Sequence, residues 1–319
     1  MNASSAYPFT KGLHELGDGL FAYLQPRGQW CYSNAGLVTG TGESLLVDTL
    51  MDLNLTRQML EEMKSITQTS PIQSLVNTHA NGDHCFGNEL VPDRATIYAT
   101  VAAAEEMEAV PPSRLLAMRS SEDPEINEFA NYAFGPFKLD DIAGRAPDST
   151  FESELTLDVD GRDVVIRDLG PAHTESDSIV YVPSARTVFS GDLVFVEGSP
   201  IAWQGPISNW TTACDAIVAL DVDTVVPGHG PITDKQGVLD VKRYMQFVYD
   251  ESKQRYEAGI DATDAAFDID LGEFADLSDS ERIVVTVETA YRDLDPSRPH
   301  PDPVRMFRLM GRYHKQRST

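Results

Sequence analysis

The stretch NTHANGDHCFGN, residues 77–88, packs His79, Asn81, Asp83 and His84 into six positions. Imidazole and carboxylate are the donors that zinc takes in catalytic sites, where one coordination position stays open for water. Asn81 stands among them either as a neutral amide-oxygen ligand, weaker than imidazole, or as a hydrogen-bonding residue that touches no metal. Three further signals follow in order. His173 lies in GPAHTESDS directly after VVIRDL, Asp192 in FSGDLVF, and His229 in VVPGHGP. Gly228 and Gly230 let the backbone turn sharply beside that last imidazole. Each group sits at the end of a predicted strand, and the ordered set is far more specific than a lone HxxxDH. The remaining histidines, His14, His300 and His314, lie in terminal or proline-rich surroundings and read as surface residues.

This order resembles the metallo-β-lactamase superfamily, whose motif is His-x-His-x-Asp-His followed by a distant histidine, aspartate and histidine. Here Asn81 replaces the second histidine. SNAGLV with LLVDT also resembles the family's opening hairpin, so the likeness spans roughly residues 12–232. The resemblance implies an α/β fold: an αββα sandwich of two mixed β-sheets flanked by helices, with metals at one sheet edge. It implies one or two Zn2+ ions, with Fe or Mn as alternatives. His79 and His173 would bind the first metal, with Asn81 at the exchanged position. Asp83, His84 and His229 would bind the second, and Asp192 would bridge. Asp48, in the VDT strand end, would hold the motif loop from behind, and Asp83 would also orient the nucleophile as the catalytic residue.

The activity implied is a metallo-hydrolase that turns a metal-activated water on a small carbonyl substrate: an ester, lactone, thioester or amide. The cation lowers the pKa of water to ~7 and polarises the electrophile. Two alternatives stay open. One is a non-hydrolytic metalloenzyme (iron oxygenase, lyase or cyclase), since His79, His173 and Asp192 could form a 2-His-1-carboxylate face. The other is a non-catalytic metal-binding descendant, because fold alone does not give function.

The elements that must position these residues are legible in outline. GLVTG and SLLVDT form a hairpin ending at Asp48. A helix follows with Met59, Leu60, Met63 and Ile66 on one face. IQSLVNT is a strand that delivers the motif, ATIYAT is another strand, and AAAEEMEAV begins a helix. Residues 111–149 lose the pattern and are either a lid over the site or a helical excursion packed elsewhere. Strands resume with ELTLDV, DVVIRDLG, SIVYVP, RTVFSGDLVF and TVVPGHG. Between the last two, FVEGSPIAWQGPISNWTTACD reads as a loop whose Trp203 and Trp210 either pack it down or wall a pocket. Beyond Pro231 the pattern is helical: Val238, Val241, Met245 and Val248; then Ile283, Val287, Ala290, Tyr291 and Leu294; then Val304, Phe307 and Met310, with Pro303 in the first turn. Residues 1–232 thus form a metallo-β-lactamase-like domain, and residues 233–319 a C-terminal helical extension packed on it.

Composition narrows the partners. Twenty-five basic and fifty acidic residues give a net charge of −25, which opposes nucleic acid and anionic membrane and leaves a small-molecule substrate. The opening residues carry neither the basic nor the apolar region of a secretory signal, and no apolar run reaches membrane-span length. Cys31, Cys85 and Cys214 are odd in number and far apart, as expected of reduced thiols. Together these predict a cytoplasmic protein. Oligomeric state leaves no mark in the sequence.

Overall fold

The computed structural model of the chain describes residues 7–26 and 30–317. Its first sheet runs in chain order: β1 (Gly12–Gly17), β2 (Leu20–Leu24), β3 (Ala35–Thr39), β4 (Ser44–Val47), β5 (Ile72–Val76), β6 (Thr96–Thr100) and β7 (Ser149–Phe151). Pairing is antiparallel through β4 and parallel from there on. Parallel neighbours need a crossover, and α1 (Leu53–Thr67) supplies it between β4 and β5. Asp52 starts that helix by accepting from the Leu55 N–H at 2.8 Å, an N-cap that satisfies one of the orphan donors. The second sheet holds β8 (Glu154–Asp158), β9 (Asp163–Asp168), β10 (Ser178–Val182), β11 (Thr187–Phe189) and β12 (Thr224–Val226) in the order β12-β11-β10-β9-β8. Only β11 and β12 pair in parallel.

Two mixed sheets of seven and five strands, flanked by helices, make this an α/β αββα sandwich. Between the sheets, Leu20, Leu24, Val38, Leu45 and Val47 meet Val164, Ile166, Val180, Phe189 and Val226. A Cβ at Gly36 would overlap the Phe189 ring, so glycine permits that close approach. The outer face of the first sheet packs Leu37, Leu46 and Leu75 on Met59 and Met63 of α1. The outer face of the second carries Val188 and Val225 against α6 (Ile207–Ala219) and α7 (Lys235–Glu257).

Short helices fill the linking segments: α2 (Gly82–Cys85), α3 (Val101–Ala109), α4 (Pro112–Arg119) and α5 (Pro124–Phe134). After α7 come α8 (Ala262–Asp268), α9 (Ile283–Leu294) and α10 (Pro303–Arg317). Helix α9 packs on α7, and α10 lies along α5. Residues 111–149 therefore divide. Phe129, Ala130, Ala133 and Phe134 of α5 are buried in the main core, whereas α4 buries none of its residues.

Two details depart from the sequence expectation. Residues 207–219 are helix rather than loop, with Ile207, Trp210, Ala213, Cys214 and Ile217 on the buried face; the glycines and prolines before Ile207 hid that period. Val304 is exposed, and α10 turns Met306, Phe307, Leu309, Met310 and Tyr313 inward instead. All three cysteines are buried and free. Among the described residues, no helix is long and apolar enough to cross a membrane.

Candidate metal centre

The strand-end residues converge at one edge of the sandwich. Asp48 follows β4 with φ +61°, and its N–H donates to Val76 O at 2.9 Å, which sets it beside the residues leaving β5. Its buried carboxylate accepts from the Thr78 N–H at 2.7 Å, the Thr78 hydroxyl at 2.8 Å and His84 Nδ1 at 2.9 Å. The Thr78 hydrogen is thereby committed to Asp48, so Thr78 Oγ1 accepts from His79 Nδ1 at 3.0 Å. One carboxylate thus sets the tautomer of two imidazoles and leaves both Nε2 lone pairs facing inward, the outer-sphere control usual at metal sites. His84 is also held through its carbonyl, which accepts from the Thr49 N–H and the Asn77 side chain, each at 2.9 Å.

The other ligand candidates arrive on separate turns. His173 donates from Nδ1 to Ile201 O at 2.6 Å. Asp177 braces its loop, accepting from the Ala172 and Thr174 N–H groups and the Thr174 hydroxyl. Asp192 sits in the turn after β11; a Cβ at Gly228 would overlap its Oδ1, so glycine is required there. His229 follows β12. Its Nδ1 is buried without a hydrogen-bond partner, and its ring instead stacks on Phe195 at 5.2 Å and 3°. The Arg282 guanidinium lies over the far neighbourhood of that stack, 5.4 Å from the Phe195 centroid and 4.6 Å from Trp30.

Asp192 is the hub. Its Oδ2 lies 3.3 Å from His173 Nε2, 3.4 Å from His229 Nε2 and 3.8 Å from His79 Nε2, and its Oδ1 lies 3.1 Å from His84 Nε2. Asp83 Oδ2 is 3.3 Å from His229 Nε2 and 3.9 Å from His84 Nε2. Two triplets hold their donor atoms within 4.8 Å of one another: His79, His84 and Asp192, and Asp83, His84 and His229. The second is the triplet expected from the sequence. The first groups His79 with His84 and Asp192 rather than with His173.

Asn81 lies against His173. Because Ile201 O can only accept, His173 carries its proton on Nδ1, and its Nε2 accepts from the Asn81 amide at 2.9 Å. The amide thus occupies the lone pair that a cation would use.

The electrostatics match a cation site. Burial pushes His79 well below the usual histidine range, and the neighbouring His84 charge adds to it. Burial acts the same way on His84, but Asp192, Asp48 and Asp83 outweigh it and hold the imidazole well above that range. His229 is raised to about 9, against burial, by Asp192 and Asp83. Asp83 is held at about 2: burial opposes this, and His84 and His229 overcome it. Asp192 is likewise held well below its ordinary value. Protons on His84 and His229 thus neutralise the carboxylates, and a bound cation would displace them. His79 Nε2 is buried without a hydrogen-bond partner, and His84 Nε2 and Asp192 Oδ1 face each other at 3.1 Å in poor hydrogen-bond geometry. A buried polar atom left unpaired is destabilising, and a divalent cation between these donors would satisfy it. Imidazole and carboxylate donors suit zinc, manganese or iron.

A cavity of about 420 Å³ opens over Asp83, His173, Asp192 and His229. Trp203 lines it, whereas Trp210 is buried behind His173 and donates to Leu193 O at 3.0 Å. Arg282 and Phe307 from the C-terminal helices, Glu106 from α3 and His300 at the rim also line it. No local sequence signal marks these four, since each reaches the site from an element remote in the chain.

The sequence profile of the metallo-beta-lactamase superfamily matches residues 28–229. The chain belongs to that superfamily. It is 25% identical over 204 residues to the 2,4-dinitroanisole O-demethylase subunit alpha of Nocardioides sp. (strain JS1661), covering 60% of this chain and 51% of that one. It is 25% identical over 210 residues to a metallo-beta-lactamase type 2 of Bacillus sp. (strain 170), covering 63% and 68%. In structure it is similar to the stereoselective inverting sec-alkylsulfatase Pisa1 from Pseudomonas sp., with TM-score 0.67, 16% identity, and 92% of this chain on 52% of that one. The chain spans about half the length of the O-demethylase subunit and of the alkylsulfatase.

Proposed function

We propose that the protein is a metal-dependent hydrolase of a small carbonyl substrate, an ester, lactone, thioester or amide. One observation carries this: buried, unpartnered imidazole and carboxylate atoms converge at the floor of a cavity. His79, His84 and Asp192, and Asp83, His84 and His229, would hold the cation, with His173 beside Asp192. A bound divalent cation, zinc in our reading, supplies an acidified water and polarises the scissile carbonyl. Asp83 faces the cavity with its carboxylate ionised, so it can orient a water. Asp48, through Thr78 and His84, keeps the donor lone pairs turned inward. The apolar walls exclude bulk water, which strengthens each polar contact inside. The hydrolases among the similar proteins, a β-lactamase and an alkylsulfatase by name, support the reaction class. A non-haem iron face built on His79, His173 and Asp192 is less well supported, because Asn81 engages His173 Nε2.

The test uses protein stripped by a chelator and reloaded with zinc, manganese or iron, then assayed on lactone, thioester, ester and β-lactam panels. Reloading should restore turnover, and His229→Ala should lose both metal and activity with the fold retained. Undiminished turnover by stripped protein, or by His229→Ala, would refute the assignment.

A further inference from the structure

The cavity wall has a chemistry of its own. Trp30, Met51, Phe86, Leu115, Met118 and Phe307 present an apolar surface around the space above the centre. Trp203 extends it, stacked on Phe307 at 6.3 Å and 12°. Leu115 and Met118 lie on α4, which buries none of its residues; both stay half-buried against the edge of the core and face the cavity. An apolar ligand would complete the burial that α4 lacks, at roughly 25 cal/mol per Å² of surface removed from water.

Two arginines border this wall, one buried and charge-matched and one exposed at the rim. Arg282 is 2% exposed, lies 3.3 Å from Asp279, donates to Ser199 O at 3.1 Å and stacks over Trp30. Its charge is thus matched inside the protein. Arg114 is exposed at the rim, where it donates to Ala109 O. Two carboxylates, Glu106 and Glu175, also border the cavity, and the Gln204 amide donates to Glu175 at 2.7 Å.

We propose that the cavity selects a substrate with a bulky apolar group, aromatic or branched aliphatic, seated between α4 and the Trp203–Phe307 pair while its polar end reaches the centre. This rests on the hydrolase assignment only for which end carries the scissile bond.

Binding can be measured apart from turnover. Methyl ketones of increasing chain length mimic esters but cannot be hydrolysed, and calorimetry on the metal-loaded protein follows their affinity. Each added methylene should tighten binding about fourfold until the cavity is full, the equivalent of ~0.8 kcal/mol. Leu115→Asp, at a half-exposed position that leaves the core intact, should flatten the chain-length series. An affinity independent of chain length, or a series as steep in Leu115→Asp as in the parent, would overturn the proposal. A steep chain-length series with no turnover of any ester, lactone, thioester or amide would uphold this pocket chemistry and remove the hydrolase assignment; turnover with a flat series would do the reverse.

Discussion

Asp48→Asn probes the centre without touching a donor that faces it. Asp48 Oδ1 accepts from the Thr78 N–H, so an asparagine keeps its carbonyl oxygen there and puts its amide nitrogen where Oδ2 stood. That nitrogen meets His84 Nδ1 at 2.9 Å and Thr78 Oγ1 at 2.8 Å as a donor rather than an acceptor. His84 must then move its proton to Nε2, which closes the inward lone pair. The Thr78 hydroxyl turns toward His79 Nδ1, 3.0 Å away, and drives the same exchange there. Loss of one such outer partner weakens metal binding about 10–100-fold, or ~1.4–2.7 kcal/mol, and the coupling to His79 places the expected loss at or above the upper figure. The stripped protein should also lose stability, because the buried His84 imidazolium gives up one of the three carboxylates that hold it. Competition against a chromophoric chelator gives the affinity of the folded protein, and thermal unfolding of the stripped protein gives the stability loss separately. Affinity within about threefold of the parent would refute this account of the tautomers.

Asn81→His replaces an amide donor with an imidazole at the first site and should raise the metal kept after mild dialysis from about one toward about two ions per chain; equal retention by the two proteins would show that Asn81 does not weaken that site. Burial pushes Glu106 up to about 7, opposed by the Glu175 N–H and reinforced by Asp177 and Glu175. The fold therefore favours its protonated form, and its contribution is full below about 4.5 and is lost as pH rises through about 7. Glu106→Gln should match the parent's Tm near pH 4.5 and exceed it at pH 8, whereas a constant offset across that range would contradict the shift. Phe129→Ala removes a ring 2% exposed that meets Trp30 at 5.8 Å and Phe307 at 5.7 Å, so chemical denaturation should register a loss of ~3–5 kcal/mol; near-parental stability would mean that α5 is dispensable to the core. Phe195→Leu takes away the ring stacked on the face of His229 and should weaken metal binding at the Asp83–His84–His229 triplet while leaving the secondary structure, read by circular dichroism, unchanged.

The residues of the centre were legible because each obeys a local rule. Strands announce themselves by short apolar runs and glycines mark the turns that end them; His79, His173, Asp192 and His229 follow such strands, and Asp83 and His84 lie on the short helix α2 beyond β5. The two sheets and the faces of α1, α7 and α9 were readable for the same reason, since a period of two or 3.6 is a property of neighbours in sequence. Where that period was short or crowded by proline and glycine, as at 207–219, the helix escaped notice. Asn81 shows a different limit. Sequence allows it to be a ligand or a hydrogen-bonding residue, and its contact with His173 Nε2 depends on Ile201, 120 positions away, whose carbonyl fixes the His173 tautomer. The cavity wall was legible only as alternatives, a lid within 111–149 and a wall at Trp203, because Trp30, Leu115 and Phe307 come from three remote segments. Local periodicity says which face of an element is apolar; which other face it meets is decided by the packing of the whole chain, and so only the tertiary structure could bring these walls around the centre.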